Sequence, residues 1–150
     1  MTDLLRQEIA ATAEIVVIKV GTRVLTQADG TLHTSRMEQL AEQLSALADE
    51  DKKVVLVSSG AVGAGMSQLG LERRPEDLST LQAVAAVGQT HLIQTYDQTF
   101  SRHAQKAAQV LLTAQELNDR TSYLNVRNTL LSLLSLNVIP IINENDTVSV

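Results

Sequence analysis

Hydrophobic and polar residues follow one another in blocks that predict short strands alternating with helices. Short apolar runs are typical of strands in a parallel sheet, because both faces of such a sheet are buried. The chain has runs of this kind at 15–20, 54–57, 108–112 and 138–142. Segments with helical spacing or composition lie between them, at 35–48, 59–70 and 79–103, and from 119 or 121 to 136. The predicted order is β-α-β-α-α-β-α-β, which indicates an α/β fold with a parallel sheet, right-handed crossovers and helices on both faces.

Three positions add detail to this pattern. The helix at 35–48 has the clearest apolar face, and Thr34 or Ser35 is available to cap its first turn. In the long segment 79–103, Gly88 is the position where we expect an irregularity. Pro140 has no amide hydrogen for a sheet, so we expect a bulge there or an amide that faces away from the neighbouring strand.

Polar residues follow three of the predicted strands. They lie at 19–22, at 58–60 and at 143–146, in each case where an apolar run ends. The carboxyl ends of parallel strands meet at one edge of a sheet, which is where such folds bind ligands. A cation, glycines, hydroxyls and a carboxylate are therefore predicted to form one composite site.

Lys19 interrupts the apolar run IVVIKVGT at the end of the first strand. One interpretation is a lysine that reaches solvent or pairs with a carboxylate, because an unpaired buried charge is costly. The other is phosphate binding. Gly21 and Thr22 follow directly, and a glycine allows backbone amides to approach an oxyanion closely. Lys19, Gly21 and Thr22 are thus candidate phosphate-binding residues.

The second strand runs into SSGAVGAG at 58–65. One interpretation is a capped helix start that packs closely on the sheet. The other is an anion site, because the free amides at a helix start favour a carboxylate or phosphate and Ser59 adds a hydroxyl. The spacing GxxGxG is not the dinucleotide fingerprint, and the GxxxxGK[ST] phosphate loop does not occur in the sequence.

The fourth strand ends in NEND at 143–146. Asn and Asp after a strand often form side-chain turns, which is one interpretation. The other is recognition of a small zwitterion, since an ammonium group prefers Asp oxygens and a carboxylate prefers amide donors. Asn143, Asn145 and Asp146 supply that mixed set.

Composition narrows the classes of function. The 12 basic and 17 acidic residues give a net charge of -5 with no basic tract, which argues against nucleic-acid binding. The chain has no Cys, and its His residues lack metal-ligand spacing, so no metal site is predicted. No apolar run approaches membrane length and no signal peptide is evident, so we expect a cytoplasmic protein that does not contact a membrane.

Six segments of the chain carry a family pattern. They are IKVGTRVL at 18–25, VVLVSSGAVGAG at 54–65, LQAVAAVGQ at 81–89, AQVLLT at 108–113, YLNVRNTL at 123–130 and PIINENDTV at 140–148. Together they resemble the glutamate 5-kinases, which are members of the amino-acid kinase family. The resemblance implies a three-layer αβα sandwich with a mainly parallel sheet. Residues 1–150 would form its N-terminal, glutamate-binding lobe, and the ATP-binding lobe and a C-terminal RNA-binding-like domain would lie beyond residue 150.

The resemblance also implies roles for individual residues. Lys19 matches the catalytic lysine that contacts the transferred phosphoryl group, and Gly21 and Thr22 match the glycine turn beside it. The glutamate-binding positions match Ser59, Gly60, Ala61, Asn143, Asn145 and Asp146.

The reaction implied is transfer of the γ-phosphoryl group of ATP, with Mg²⁺, to the side-chain carboxylate of L-glutamate, in the first step of proline biosynthesis. Proline is implied as a feedback inhibitor, and a dimer or tetramer of the chain is implied as its assembly. Two alternatives stay open from the residues: a non-catalytic module that binds glutamate or proline, and a dinucleotide-binding α/β protein.

Overall fold

The structure, a computed structural model, describes residues 2–27 and 29–149. Its centre is an all-parallel sheet of four strands in the order β1-β2-β4-β3. The strands are β1 Ile15–Lys19, β2 Lys53–Val57, β3 Lys106–Leu112 and β4 Val138–Glu144. The predicted α/β class with a parallel sheet is confirmed.

Seven helices connect and flank these strands in the described residues. They are α1 Thr2–Thr12, α2 Thr22–Leu25, α3 Thr34–Asp49, α4 Ala61–Gln68, α5 Leu78–Ser101, α6 Ala114–Asn118 and α7 Arg120–Ser135. The sequence pattern predicts α3, α4, α5 and α7 but misses the others. Helices α2 and α6 have about one turn each, too short for a periodic pattern, and α1 exposes Leu4, Leu5 and Ile9 instead of burying an apolar face. Across residues 2–27 and 29–149, no helix combines the length and the apolar character needed to cross a membrane.

The direction of the crossovers places helices on both faces of the sheet. The connections β1 to β2 and β2 to β3 run one way across the sheet, and β3 to β4 runs back. With right-handed crossovers, α3, α4 and α5 cover one face and α7 covers the other. The main core agrees with this, because it joins residues of α3 and α5 to alternate residues of β2 and β4. Those strand residues are Val54, Leu56, Ile139 and Ile141. The result is three layers.

Pro140 lies in an interior strand without a bulge. The register between β3 and β4 is continuous, and Ala108 is the partner of Pro140. The Ile142 carbonyl accepts a hydrogen bond from the Ser58 amide, so the backbone of Ile142 faces β2, and that of Pro140 does so by alternation. The ladder between β2 and β4 starts at Ile141. The position of the missing amide hydrogen thus faces β2 and not β3, at a level that precedes the ladder with β2. The expected bulge is absent, and the amide position is turned away from β3 alone.

Two local predictions are wrong. The cap of α3 is His33 and not Thr34 or Ser35, because Thr34 is already helical and the Ser35 hydroxyl pairs with the His33 ring at 3.0 Å. Gly88 produces no irregularity, since α5 runs without a break from Leu78 to Ser101.

Gly88 instead allows α5 to cross α4 almost backbone to backbone. A Cβ atom on Gly88 would lie 1.8 Å from the Ala61 carbonyl oxygen, and one on Gly65 would lie 1.9 Å from the Val84 carbonyl oxygen. Only hydrogen fits at both positions. This crossing sets the distance between α5 and the first turn of α4, which begins after the three residues that follow the end of β2.

Gly88→Ala is expected to lower the free energy of unfolding by about 1 to 2 kcal/mol. The new methyl group has no space against backbone atoms, and overpacking of this kind costs ~1 to 3 kcal/mol or more, against a gain of ~1 kcal/mol in helix propensity. Urea titration followed by circular dichroism measures the change.

Ala86→Gly is the matched control, because Ala86 is exposed on the same helix and its change reports propensity alone, a loss of about 1 kcal/mol. A Gly88→Ala protein as stable as the parent chain would contradict the proposed packing constraint.

Candidate functional site

The register of the sheet brings the ends of β1, β2 and β4 to one level. Lys19 is the partner of Val57, and Val57 is the partner of Ile142. β2 lies between the other two strands, so the residues that follow it stand between those that follow β1 and β4. The polar residues after the three strands are therefore neighbours at the carboxyl edge of the sheet.

A cleft of about 620 Å³ opens at this edge. Most of the residues predicted from sequence line it, namely Lys19, Thr22, Ser59, Gly60, Ala61, Asn143 and Asp146. Two predicted residues do not. Gly21 precedes the first turn of α2, and the Asn145 side chain accepts a hydrogen bond from the Thr147 hydroxyl instead of facing the cleft.

Lys19 is exposed at the mouth of the cleft. Its ammonium group makes no hydrogen bond or ion pair with any group in residues 2–27 and 29–149, so pairing with a carboxylate is not what holds it. Alternation along β1 turns its side chain to the same side of the sheet as Val57 and Ile142. The lysine is a cation placed beside the cleft and available to an anion.

The two serines after β2 face different neighbours. The buried Ser58 hydroxyl lies 3.0 Å from the Tyr96 hydroxyl of α5. Burial raises the pKa of Tyr96 to about 12, although the hydrogen bond with Ser58 opposes this, so the phenol is neutral at physiological pH. The Ser59 hydroxyl lines the cleft, donates to the Val20 carbonyl at 3.1 Å and accepts from the Thr22 hydroxyl at 3.2 Å. Ser59 thus joins the end of β2 to the end of β1.

The first turn of α4 supplies backbone donors to the cleft. Gly60 precedes it with φ of +106°, a left-handed conformation that favours glycine. The helix has no side-chain cap, and the amides of its first residues have no acceptor within the helix. Ala61, Val62 and Gly63 line the cleft. Free amides and the helix dipole make this turn suited to a carboxylate or phosphate group.

The end of β4 and the residues after it combine a buried amide with a carboxylate. Asn143 is only 5 % exposed, and its Nδ2 donates to Gln89 Oε1 at 2.7 Å. Its Oδ1 accepts from the Glu144 amide at 3.0 Å. Both polar ends of the side chain are occupied, so Asn143 shapes the wall of the cleft.

Asp146 is the half-buried acid of the cleft. Burial raises its pKa above the ordinary value of 3.8, the negative charge of Glu144 raises it further, and Arg74 opposes both. Lys19, Arg74, Glu144 and Asp146 give the cleft both signs of charge. Such a set is suited to a small zwitterion that carries an additional anionic group.

The sequence pattern misses several residues of this site. Arg74 lies in the loop between α4 and α5 next to Pro75, and only the path of that loop brings it to the cleft. Gln89 lies outside the cleft lining but bonds Asn143. Gln89 lies seven residues after Gln82, so the helical period puts both glutamines on one face of the predicted helix. That spacing is the signal in the sequence that could have pointed to Gln89.

Metal ligation has little support in the described residues. No group of three or more His, Asp or Glu side chains is placed to hold a metal ion there. Any divalent cation would need ligands from a bound molecule or from further residues.

Comparison with known proteins gives the chain its family. Residues 14–150 match the profile of the Amino acid kinase family. Glutamate 5-kinase of Rhodopirellula baltica is 49% identical over 146 residues, which cover 97% of this chain and 38% of that protein. Glutamate 5-kinase of Azoarcus sp. is 48% identical over 136 residues, or 91% of this chain and 37% of that protein. Glutamate 5-kinase of Ralstonia pickettii is 51% identical over 138 residues, or 92% of this chain and 37% of that protein.

The chain thus spans less than two fifths of the length of these curated relatives. The matched region includes all four strands and the cleft at their carboxyl ends. The parallel sheet, the helices on both faces and the family profile agree, and the chain belongs to the amino acid kinase family.

Proposed function

We propose that this chain is the glutamate-binding, N-terminal part of the amino-acid kinase domain of a glutamate 5-kinase. The observation that carries the proposal is the meeting of Lys19, Ser59 and Asp146 in one cleft. Relatives of that name at about half identity support it.

Glutamate has one ammonium group and two carboxylates, and the cleft has a partner for each. The Asp146 carboxylate suits the ammonium group. The amides at the start of α4, around Gly60 and Ala61, suit one carboxylate, and Ser59 lies beside them. The second carboxylate is then free to point toward Lys19, where phosphoryl transfer would occur.

The reaction proposed is attack of the side-chain carboxylate of glutamate on the γ-phosphoryl group of ATP, which gives glutamyl 5-phosphate and ADP. A carboxylate is already a nucleophile, so the step requires alignment and positive charge and no general base. Lys19 supplies a cation near the equatorial oxygens. Gly21 and Thr22 lie at the adjacent turn, where backbone amides and a hydroxyl suit a phosphate.

Mg²⁺ would enter with the nucleotide. Magnesium in phosphoryl-transfer sites is held mainly by phosphate oxygens and water with one or two carboxylates, so a cluster of three acids is not needed. When bound, the ion would neutralise developing phosphate charge. Proline as an inhibitor and a homo-oligomeric assembly remain part of the same proposal.

Isothermal titration calorimetry tests the proposal directly. We expect glutamate to bind the chain and proline to compete with it, because both carry an ammonium and a carboxylate. Glutamate binding that does not respond to ATP and Mg²⁺ would favour the alternative, an amino-acid-binding part without catalysis. The absence of any heat with glutamate or proline would contradict both.

Lys19→Ala in the full-length enzyme that the proposal implies is expected to lower turnover by about 10² to 10³. A cation about 4 Å from developing charge stabilises it by an energy that corresponds to this change in rate at an effective dielectric of about 20. The charge develops in the transition state, so the substitution should affect turnover more than substrate binding. The Michaelis constant for glutamate is expected to change less. Steady-state kinetics of glutamate-dependent ADP release measures both.

Lys106→Ala is the matched control, because Lys106 is also an exposed lysine on a strand but lies at the amino end of β3. Unchanged turnover in Lys19→Ala would remove Lys19 from the mechanism.

Glutamate affinity is expected to fall on acidification through the raised pKa of Asp146. Above that pKa the side chain is a carboxylate that attracts the ammonium group, and below it the neutral acid does not. Burial and Glu144 raise this pKa, so the loss of glutamate affinity begins at a higher pH than it would with an ordinary aspartate. Calorimetry at a series of pH values, with proline as a ligand that has no side-chain carboxyl group, measures the profile.

The Asp146→Asn variant is expected to bind glutamate weakly at neutral pH and to show no further fall in affinity through this pH range. Asp97 is exposed on α5, so the Asp97→Asn variant is expected to keep the parental pH dependence. If the Asp146→Asn protein showed the parental dependence of glutamate affinity on pH, a group other than Asp146 would be responsible for it.

A further inference from the structure

Two glutamines of α5 hold the end of β4 and the turn that follows it. Gln89 Oε1 accepts a hydrogen bond from Asn143 Nδ2 at 2.7 Å, and Gln82 Nε2 donates one to the Ser149 carbonyl at 3.1 Å. The glutamines are seven residues apart and so lie about two turns apart on one face of the helix. Each glutamine thus forms a hydrogen bond with one end of the segment 143–149.

The backbone between these two ends is folded into a turn. The Asn145 amide donates to the Leu112 carbonyl of β3 at 2.8 Å. The Asn145 carbonyl accepts from the Val148 amide at 3.1 Å and the Ser149 amide at 3.0 Å. Asp146 lies inside this turn, and its carboxylate makes no hydrogen bond with a described residue. Its position therefore depends on what holds its neighbours.

We propose that Gln82 and Gln89 are positioning residues that hold the segment 143–149 against α5 and thereby fix Asp146 at the cleft. This inference rests on the proposed function, in which Asp146 binds the ammonium group of the substrate. Neither glutamine touches that substrate in the arrangement described above, so each acts through the segment.

Helix α5 is well suited to act as the fixed reference. Gly88, next to Gln89, lies against the Ala61 carbonyl at the crossing with α4, and Leu92 and Tyr96 are in the core. Tyr96 of the same helix forms a hydrogen bond with Ser58. Side chains on a packed helix position a site more accurately than a loop alone. α5 thus sets the distance between the end of β2 and the turn that carries Asp146.

The test compares single and double Gln→Leu variants at positions 82 and 89 with the parent chain. Hydrogen exchange followed by NMR is expected to quicken about tenfold or more at the amides of Val148 and Ser149 in the double variant. Exchange within β2 is expected to stay as in the parent chain, because that strand is held by its own neighbours. Gln94→Leu and Gln98→Leu are matched controls, since both glutamines are exposed on the same helix.

A second measurement separates positioning from simple loss of stability. The pKa of Asp146, followed by NMR titration, is expected to fall toward its ordinary value in the double variant, because a released segment exposes the carboxylate to water. Glu144, Arg74 and Lys19 are the charged groups around the cleft, and none of them is changed. Glutamate is expected to bind about tenfold more weakly to the double variant.

Gln89→Glu serves as the conservative variant. A carboxylate retains an acceptor for Asn143 Nδ2, so exchange and glutamate affinity are expected to stay closer to the parent values than in Gln89→Leu. If the double variant does not fold, the single variants decide the matter, because each removes one hydrogen bond to the segment.

Parental exchange at 148–149 together with a parental pKa of Asp146 in the variants would overturn the inference. Loss of protection equally across β2 and the segment would overturn it too, because the glutamines would then support the whole fold and not this segment. A parent chain that binds no glutamate would count against the proposed function, while the exchange and pKa measurements would still decide the role of the glutamines.

Discussion

The contact between α4 and α5 is the constraint on which the site depends. Gly65 and Gly88 bring the two helix backbones together where no side chain fits, and this fixes the first turn of α4 relative to α5. Two residues of α5 that follow the crossing then reach two strand ends: the Tyr96 hydroxyl pairs with Ser58, and the Gln89 side chain accepts a hydrogen bond from Asn143. One helix thus relates the hydroxyl and amide groups after β2 to the polar segment after β4.

The sheet supplies the other half of the arrangement. In a parallel sheet the carboxyl ends of neighbouring strands lie at one edge, and here the register places Lys19, Val57 and Ile142 in one row. Side chains alternate along the strands, so Lys19 lies on the face opposite α5, while Ser58 and Asn143 turn toward α5. All three line the cleft, but Ser58 and Asn143 are hydrogen-bonded to α5 and Lys19 is not.

Charge in the cleft fits a ligand with groups of both signs. Asp146 and Glu144 lie with Lys19 and Arg74 around a space of about 620 Å³, and the free amides of α4 add neutral donors. Burial and the neighbouring acid make the Asp146 carboxylate costly to keep charged, so a bound ammonium group would relieve both effects. Membership of the amino acid kinase family and the proposed phosphoryl transfer to a carboxylate are consistent with that balance.

The amino-acid sequence by itself determined the four strands, the long helices and the residue types at the strand ends, because burial on a sheet or helix face requires periodic apolar residues. It left α1, α2 and α6 unpredicted, since short or exposed helices have no such pattern. Only the tertiary structure decided that Gly88 marks a crossing instead of a break, that Asn145 turns away from the cleft and that Arg74 reaches it. The reason is that these outcomes depend on contacts between residues far apart in the chain, whose geometry local periodicity does not encode.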